Sequence, residues 1–238
     1  MFERPHHQRI ALVLQALDGP LLREHCCWFG GGTAIALRHG EYRESVDMDF
    51  LVSDITSYRS LRQRLTDPQG IGALVRSGAP SLTQVREVRA DQYGIRTMLR
   101  MEGADIKFEI VLEGRIALAP PGRGDEICGI ATLTPLDMVA SKLLANSDRW
   151  GNDGVFSRDL LDLAMMKPPL PLLRQAVTKA ESAYGAAILR DLAKAVERLK
   201  TREAWLDRCM RVMGMQVSRA LVWQRLRALE RVLSEYQK

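Results

Sequence analysis

The sequence has little to tie it to a membrane, a disulfide framework or a structural metal. It has 238 residues and a mean hydropathy of −0.14. No apolar run approaches the roughly 18 residues of a membrane-spanning helix. The opening segment Phe2-Glu3-Arg4-Pro5-His6-His7 lacks the apolar core of a secretory signal. These two absences lead us to expect a cytoplasmic protein with no membrane partner. Cysteine is scarce, and none of Cys26, Cys27, Cys128 and Cys209 forms a Cys-x-x-Cys pair. A disulfide framework is therefore not expected in a chain this long. All four read as small buried hydrophobes, with Cys26 and Cys27 on opposite faces of a strand. His6, His7, His25 and His39 lack zinc-ligand spacing. Aromatic residues are only 6%, so extensive base stacking is not expected to dominate any nucleic-acid contact.

What is present is an ordinary globular balance, 46% hydrophobic and 26% charged, which excludes a disordered chain or a coiled coil. The charge is unevenly placed. From Ala131 onward there are 18 Lys and Arg against 12 Asp and Glu, while the first 130 residues carry 16 against 17. A basic back half points to a polyanionic partner or to solvated helix faces.

Pattern divides the chain in the same place. Apolar spacing predicts a helix over Gln8–Leu17, a strand over Cys26–Phe29, a glycine turn and a helix over Thr33–Arg38, with Thr33 as its cap. Strand patterns follow at Ser45–Val52, Thr83–Arg89, Tyr93–Met101 and Ile106–Leu112, with a helix over Ile55–Leu65 between the first two. Beyond Pro120-Pro121-Gly122 only helical patterns remain: Thr134–Ala145, Ser157–Met166, Leu172–Leu199, Arg202–Met213 and Val217–Tyr236. The expected fold is α+β, a mixed-sheet domain over 1–125 followed by an all-helical domain over 126–238.

The front half holds a dense group of chemically capable residues. Gly31-Gly32-Thr33 follows a strand and opens a helix, where free amides and the helix dipole favour a phosphate. Asp47 and Asp49 are alternate residues of a strand pattern and project to one side. Two carboxylates so close repel unless a cation or proton lies between them, and magnesium suits such oxygen ligands. Glu109, on another strand and facing away from its apolar side, is the natural third ligand, with Asp105 and Glu113 as nearby competitors.

These residues carry a resemblance. Gly31-Gly32-Thr33, a short helix, and Arg43-Glu44-Ser45-Val46-Asp47-Met48-Asp49-Phe50 resemble the first motif of the AbiEii/AbiGii nucleotidyltransferase toxins. Lys142-Leu143-Leu144-Ala145 with Arg149 is similar to that family's second motif. Ser157-Arg158-Asp159-Leu160-Leu161-Asp162-Leu163 is similar to its third, with Arg158 where lysine is usual. The resemblance implies a polymerase-β-like nucleotidyltransferase fold and a toxin of a toxin–antitoxin or phage-defence pair, hence a cognate antitoxin. It also implies an NTP substrate with Mg2+ or Mn2+, and an RNA acceptor such as the 3′ end of tRNA. Asp47, Asp49, Glu109, Lys142 and Asp159 are then the expected catalytic residues, with Asp47, Asp49 and Glu109 as metal ligands. Gly31, Gly32, Thr33, Arg43, Ser45 and Arg149 are expected to bind nucleotide. The helical domain would complete the active site and bind the acceptor through cations such as Arg198, Arg202, Arg208 and Arg211. A small-molecule or protein acceptor, or a nucleotide-binding domain without turnover, is the alternative. The residues alone leave Asp159 and Asp162, three apart on one helix face, open to a plain role as ion-pair partners.

Overall fold

Period-two patterning builds the centre of the first unit. Its strands are β1 (Trp28–Gly30), β2 (Met48–Val52), β3 (Thr83–Ala90), β4 (Gly94–Met101) and β5 (Ala104–Leu112). They form one mixed sheet in the order β1-β2-β5-β4-β3, with β2 and β5 parallel and the other pairs antiparallel. Ile106, Phe108 and Ile110 of β5 are fully buried on one face, as their alternation requires. Phe50 packs between Phe29 and Phe108, with ring centroids 5.3 and 5.2 Å away. The opposite face presents Asp49 of β2 and Lys107 and Glu109 of β5.

The computed structural model describes residues 2–236 and divides into two units, 1–41 with 45–134, and 42–44 with 135–238. The first also holds α1 (Pro5–Ala16), α2 (Gly19–Glu24), α3 (Gly31–Arg38), α4 (Ile55–Thr66) and a small hairpin of β6 (Glu126–Ile127) and β7 (Ile130–Ala131). Helix α2 escapes the sequence pattern because it is too short to show periodicity. The Asp18 carboxylate caps it by accepting from the Leu21 N–H (2.9 Å).

Among the described residues every element of the second unit is helical: α5 (Pro135–Arg149), α6 (Arg158–Met166), α7 (Leu170–Tyr184), α8 (Ala187–Thr201), α9 (Trp205–Val212) and α10 (Arg219–Tyr236). Helix α5 lies against α6, α7 and α8 and forms the heart of this unit. The long pattern over Leu172–Leu199 is two helices rather than one, because Gly185 takes a φ of 56° and ends α7. No described helix is long and apolar enough to cross a membrane.

Three local expectations are corrected. Strand β2 starts at Met48, so Ser45 and Asp47 lie in the loop before it. Cys26 is not in a strand but in a left-handed turn (φ 46°) that ends α2. All four thiols are free, yet only Cys27 and Cys209 are buried; Cys26 and Cys128 are half-exposed.

Candidate active site

The glycine turn and the first aspartates meet at one edge of the sheet. Gly31 adopts a φ of 67°, and a Cβ there would run into the Asp49 side chain. Glycine is thus required for the close approach of α3 to that carboxylate, as well as for the backbone angle. Gly31, Gly32 and Thr33 are the first residues of α3, whose amides have no helical acceptor.

Thr33 is not the cap that the sequence suggests, because the helix already begins at Gly31 and Gly30 holds the cap position. Its buried hydroxyl donates to the Asp47 carbonyl and lies 2.8 Å from Ser45 Oγ. Thr33 therefore pins the loop that carries Asp47. His7 holds the same loop from the other end. Its buried ring bonds the Glu41 carboxylate through Nδ1 (2.7 Å) and accepts the Ser45 N–H at Nε2 (3.1 Å). Only the tautomer with the proton on Nδ1 satisfies both contacts. No local pattern signals this role, since His7 lies 38 residues from Ser45.

Asp49 and Glu109 are register partners on the parallel strands β2 and β5. Side chains at such positions share a face and are neighbours. Glu109 receives Arg96 Nε at Oε1 and Lys107 Nζ at Oε2, each at 2.5 Å. Partial burial works against the Lys107 ammonium. The hydrogen bond to Glu109 and the charges of Glu109, Asp49 and Asp47 outweigh it and hold its pKa above the usual lysine value. Three carboxylates thus converge electrically on one ammonium. Lys107 is the residue that sequence reasoning passed over; its signal was its place two positions before Glu109 on the same strand face. The competing carboxylates are engaged elsewhere, Asp105 with Arg100 (2.7 Å) and Glu113 with Arg115 (2.7 Å).

The donor chemistry of Asp47, Asp49 and Glu109 suits a hard divalent cation. Among the described residues no three His, Cys, Asp or Glu side chains stand in ligand geometry. Both Glu109 oxygens are turned to Arg96 and Lys107 instead.

The remaining expected site residues assemble in the helical unit. Arg43 grips Asp162 with Nε and Nη2 (2.7 and 3.0 Å), and the Tyr42 hydroxyl donates to the same carboxylate. Lys142 Nζ lies 2.8 Å from both Asp162 and Asp159. Arg149 closes the chain with two bonds to Asp159 (2.7 and 3.0 Å). The pairing of Asp159 and Asp162 is therefore with Lys142, Arg149 and Arg43. Asp162, left out of the expected site, is the hub of the cluster and fully buried. Burial raises both aspartates, but Arg43 and Lys142 overcome it at Asp162, and Lys142 and Arg149 at Asp159. Each carboxyl is held below the usual range, Asp159 far below. The same two aspartates raise Lys142 against its own burial.

The turn before α6 is fixed to match. Phe156 and Ser157 are consecutive non-glycine residues in the left-handed region (φ 52° and 51°). Phe156 stacks on Trp205 (6.1 Å between centroids), whose indole N–H donates to Ser157 Oγ (3.0 Å). This clasp sets where Asp159 leaves the turn.

The family comparison decides what these residues belong to. The model of the nucleotidyl transferase AbiEii toxin family, type IV toxin–antitoxin system, matches residues 13–230. The chain belongs to the AbiEii family. The AbiEii assignment makes it a nucleotidyltransferase of the toxin class, working on a nucleoside triphosphate in a family that generally uses a divalent metal, with an antitoxin as counterpart. No curated protein sequence matches it. A crystal structure of a candidate nucleotidyltransferase from H. pylori is similar in fold. It is 15% identical with a TM-score of 0.51, covering 97% of this chain and 94% of that one. The crystal structure of JHP933 from Helicobacter pylori is 18% identical over the full length of both chains, with a TM-score of 0.46.

Proposed function

We propose that this AbiEii protein transfers a nucleoside monophosphate from NTP to the end of an RNA, a tRNA 3′ end being the leading acceptor, in a reaction that needs magnesium or manganese. The observation that carries the reading is the pairing of Asp49 with Glu109 across β2 and β5, beside the Gly31–Thr33 turn. It joins a carboxylate pair to a phosphate-binding helix start. Asp47, Asp49 and Glu109 would hold the cation, which supplies charge neutralisation on the triphosphate when bound.

The chain's own residues do the rest. The first amides of α3 receive phosphate oxygens. Thr33 and His7 keep the Asp47 loop in place. Glu109 accepts the proton of the acceptor hydroxyl once Arg96 and Lys107 release its oxygens. The acceptor oxygen bonds to the α-phosphorus, the bond to the β-phosphate oxygen breaks, and pyrophosphate leaves. In the helical unit, Lys142, Asp159, Arg149 and Arg43 form a preorganised charge cluster, in which the half-exposed Arg149 is the cation most able to turn to a phosphate. The basic surface of that unit favours a polyanionic acceptor. Several of its cations are already paired, Arg198 and Arg202 with Asp153 and Arg219 with Asp207. Arg208 and Arg211 line an open groove beside them.

The test is transfer of label from each α-labelled NTP to total RNA, proteins or small molecules of a lysate, with Asp47→Ala in parallel. Label in an RNA band, lost in the variant, is the expected result. Label in protein or in a small molecule moves the acceptor. Nucleotide binding with no label anywhere reduces the protein to a binding domain.

A further inference from the structure

The face of the sheet that bears the carboxylates becomes basic toward its far edge. Register carries Asp49 to Glu109, then to Arg96 of β4 and Arg89 of β3. The next row runs from Lys107 to Met98 and Arg86. Arg86 and Arg89 are three residues apart, so in a regular strand they would face opposite sides. The ladder is irregular between Arg86 and Arg89, where three steps on β3 match two on β4. That extra residue is a bulge, and it brings both arginines over Met98 and Arg96, which share a face. A second irregularity, between Gln84 and Arg86, precedes the pair.

The two side chains line one open cleft of about 500 Å³ with Arg96, Met98 and Lys107, and with Glu87 as a carboxylate among four cations. Arg96 and Lys107 are held by Glu109. Arg86 and Arg89 are exposed. Arg86 shares the field of Asp105, which is bonded to Arg100, and neither Arg86 nor Arg89 closes an ion pair among the described residues. Charge on an edge strand also guards against edge-to-edge pairing. A bulge also blunts an edge; what edge protection leaves unexplained is that this one sets both arginines on the face that carries the carboxylates.

We infer that this face carries the single-stranded end of the acceptor RNA, with its phosphates on Arg86 and Arg89. The inference rests on the RNA reading above. In-line transfer places the attacking and leaving oxygens on opposite sides of the phosphorus. The Gly31–Thr33 turn lies on the β1 side of the carboxylates, and Arg86 and Arg89 lie on the opposite edge of the sheet. With the triphosphate on the first side, the acceptor arrives from the second, across about 14 Å from β2 to β3. Repeated cations with no aromatic platform suit a phosphate backbone read without sequence.

The test is fluorescence anisotropy of a short single-stranded oligoribonucleotide with the full chain, titrated across salt. Removing one cation that pairs with a phosphate should lower the slope of log affinity against log salt by about 0.7. The double variant Arg86→Ala/Arg89→Ala should therefore be shallower by about 1.4 in slope. Arg86→Lys/Arg89→Lys should recover it, and Arg64→Ala, an exposed arginine of α4, should leave it unchanged. A double variant that matches Arg64→Ala in slope and affinity, or a wild type that does not bind the oligonucleotide, overturns the inference. Label transfer run in parallel separates the two readings. Lost binding in the double variant, with no label reaching RNA in the wild type, supports the surface and sinks the RNA acceptor. Label reaching RNA, with the double variant unchanged in binding, does the reverse.

Discussion

Two charge clusters, one in each unit, use the same residue types and end in opposite states. In the helical unit, Asp159 and Asp162 are buried and matched by Arg43, Lys142 and Arg149. On the sheet, Asp47, Asp49 and Glu109 face two cations, Lys107 and Arg96, that stay two-fifths exposed. Burial explains the first. A carboxylate removed from water costs several kcal/mol unless cations and hydrogen bonds replace the water, so every oxygen of that cluster is engaged. Near solvent the demand is weaker, and a surplus of negative charge can persist for a ligand to use. The contrast is between charge neutralised inside a unit and charge left unbalanced near solvent.

The strongest way to break that contrast is to delete one carboxylate from each cluster. Asp49→Ala should reduce nucleotidyl transfer by about 10³-fold or more, while stability moves by no more than about 0.5 kcal/mol. Labelled-NTP transfer and chemical denaturation on the same preparation measure both. A variant that keeps turnover, or that unfolds, would end the claim that the sheet cluster is held for chemistry.

Asp162→Ala should behave in the opposite sense. It strands Arg43 and Lys142 in a buried site, and losing one partner of a buried pair costs about 3–5 kcal/mol. Urea unfolding reads this directly. The pH dependence follows from the same residues. Asp159 and Asp162 titrate lower in the folded chain than unfolded. Their contribution is therefore complete above the unfolded value of about 4 and is lost as pH falls below it, toward the folded values. Lys142 is raised, so its share is complete below about 10.4 and fades as pH climbs through its folded value. Asp159→Asn should flatten the acid limb of a melting-temperature profile. An unchanged acid limb would show that the cluster does not govern acid stability.

The two clusters were not equally legible in the sequence. Alternation around Phe50 and Phe108 put the strands in place, because a strand's period fixes which side chains share a face. The Asp47/Asp49 spacing pointed to a candidate site by the same rule, yet Asp47 lies in the loop before β2, where that period does not hold. The Asp49–Glu109 partnership was only inferable, since register between strands 60 residues apart is set by the folded sheet. Lys107 was visible two positions before Glu109, yet its three carboxylate neighbours come from two strands and a loop. The helical cluster was read as a set of motifs whose ion pairing stayed open. Its hub, Asp162, draws Arg43 from a segment 119 residues away. His7 had no local signal at all. The Gly185 break was masked because apolar spacing runs on through both helices.

Gly31→Ala sharpens the comparison at smaller scale. A Cβ at a φ of 67°, pressed against Asp49, combines backbone strain of about 1–3 kcal/mol with displacement of a site carboxylate. Transfer should fall by about 10- to 100-fold, more than the loss of folded protein explains. Gly40→Ala is the control, since Gly40 also has a positive φ (76°) but its Cβ would meet nothing. It should share the stability cost and keep the activity. Equal activity in the two variants would mean that the turn serves the backbone and not the carboxylate.

The smallest expected effect concerns Lys107, the cation that feels all three carboxylates. Lys107 Nζ bonds Glu109 and feels Asp49 and Asp47, so its charge occupies the field that a divalent ion would enter. Two roles lead to opposite results. If the ammonium holds the carboxylates together before the ion arrives, it competes with the ion. Lys107→Met then lowers the half-saturating magnesium concentration for transfer by several-fold and leaves KM for NTP unchanged. If the ammonium turns to the substrate phosphates, the same variant raises KM for NTP and leaves the magnesium requirement alone. The geometry favours the first outcome, because the ammonium already bonds Glu109 and stands in the field of Asp49 and Asp47. A magnesium titration at saturating NTP, repeated as an NTP titration at saturating magnesium, tells the two apart.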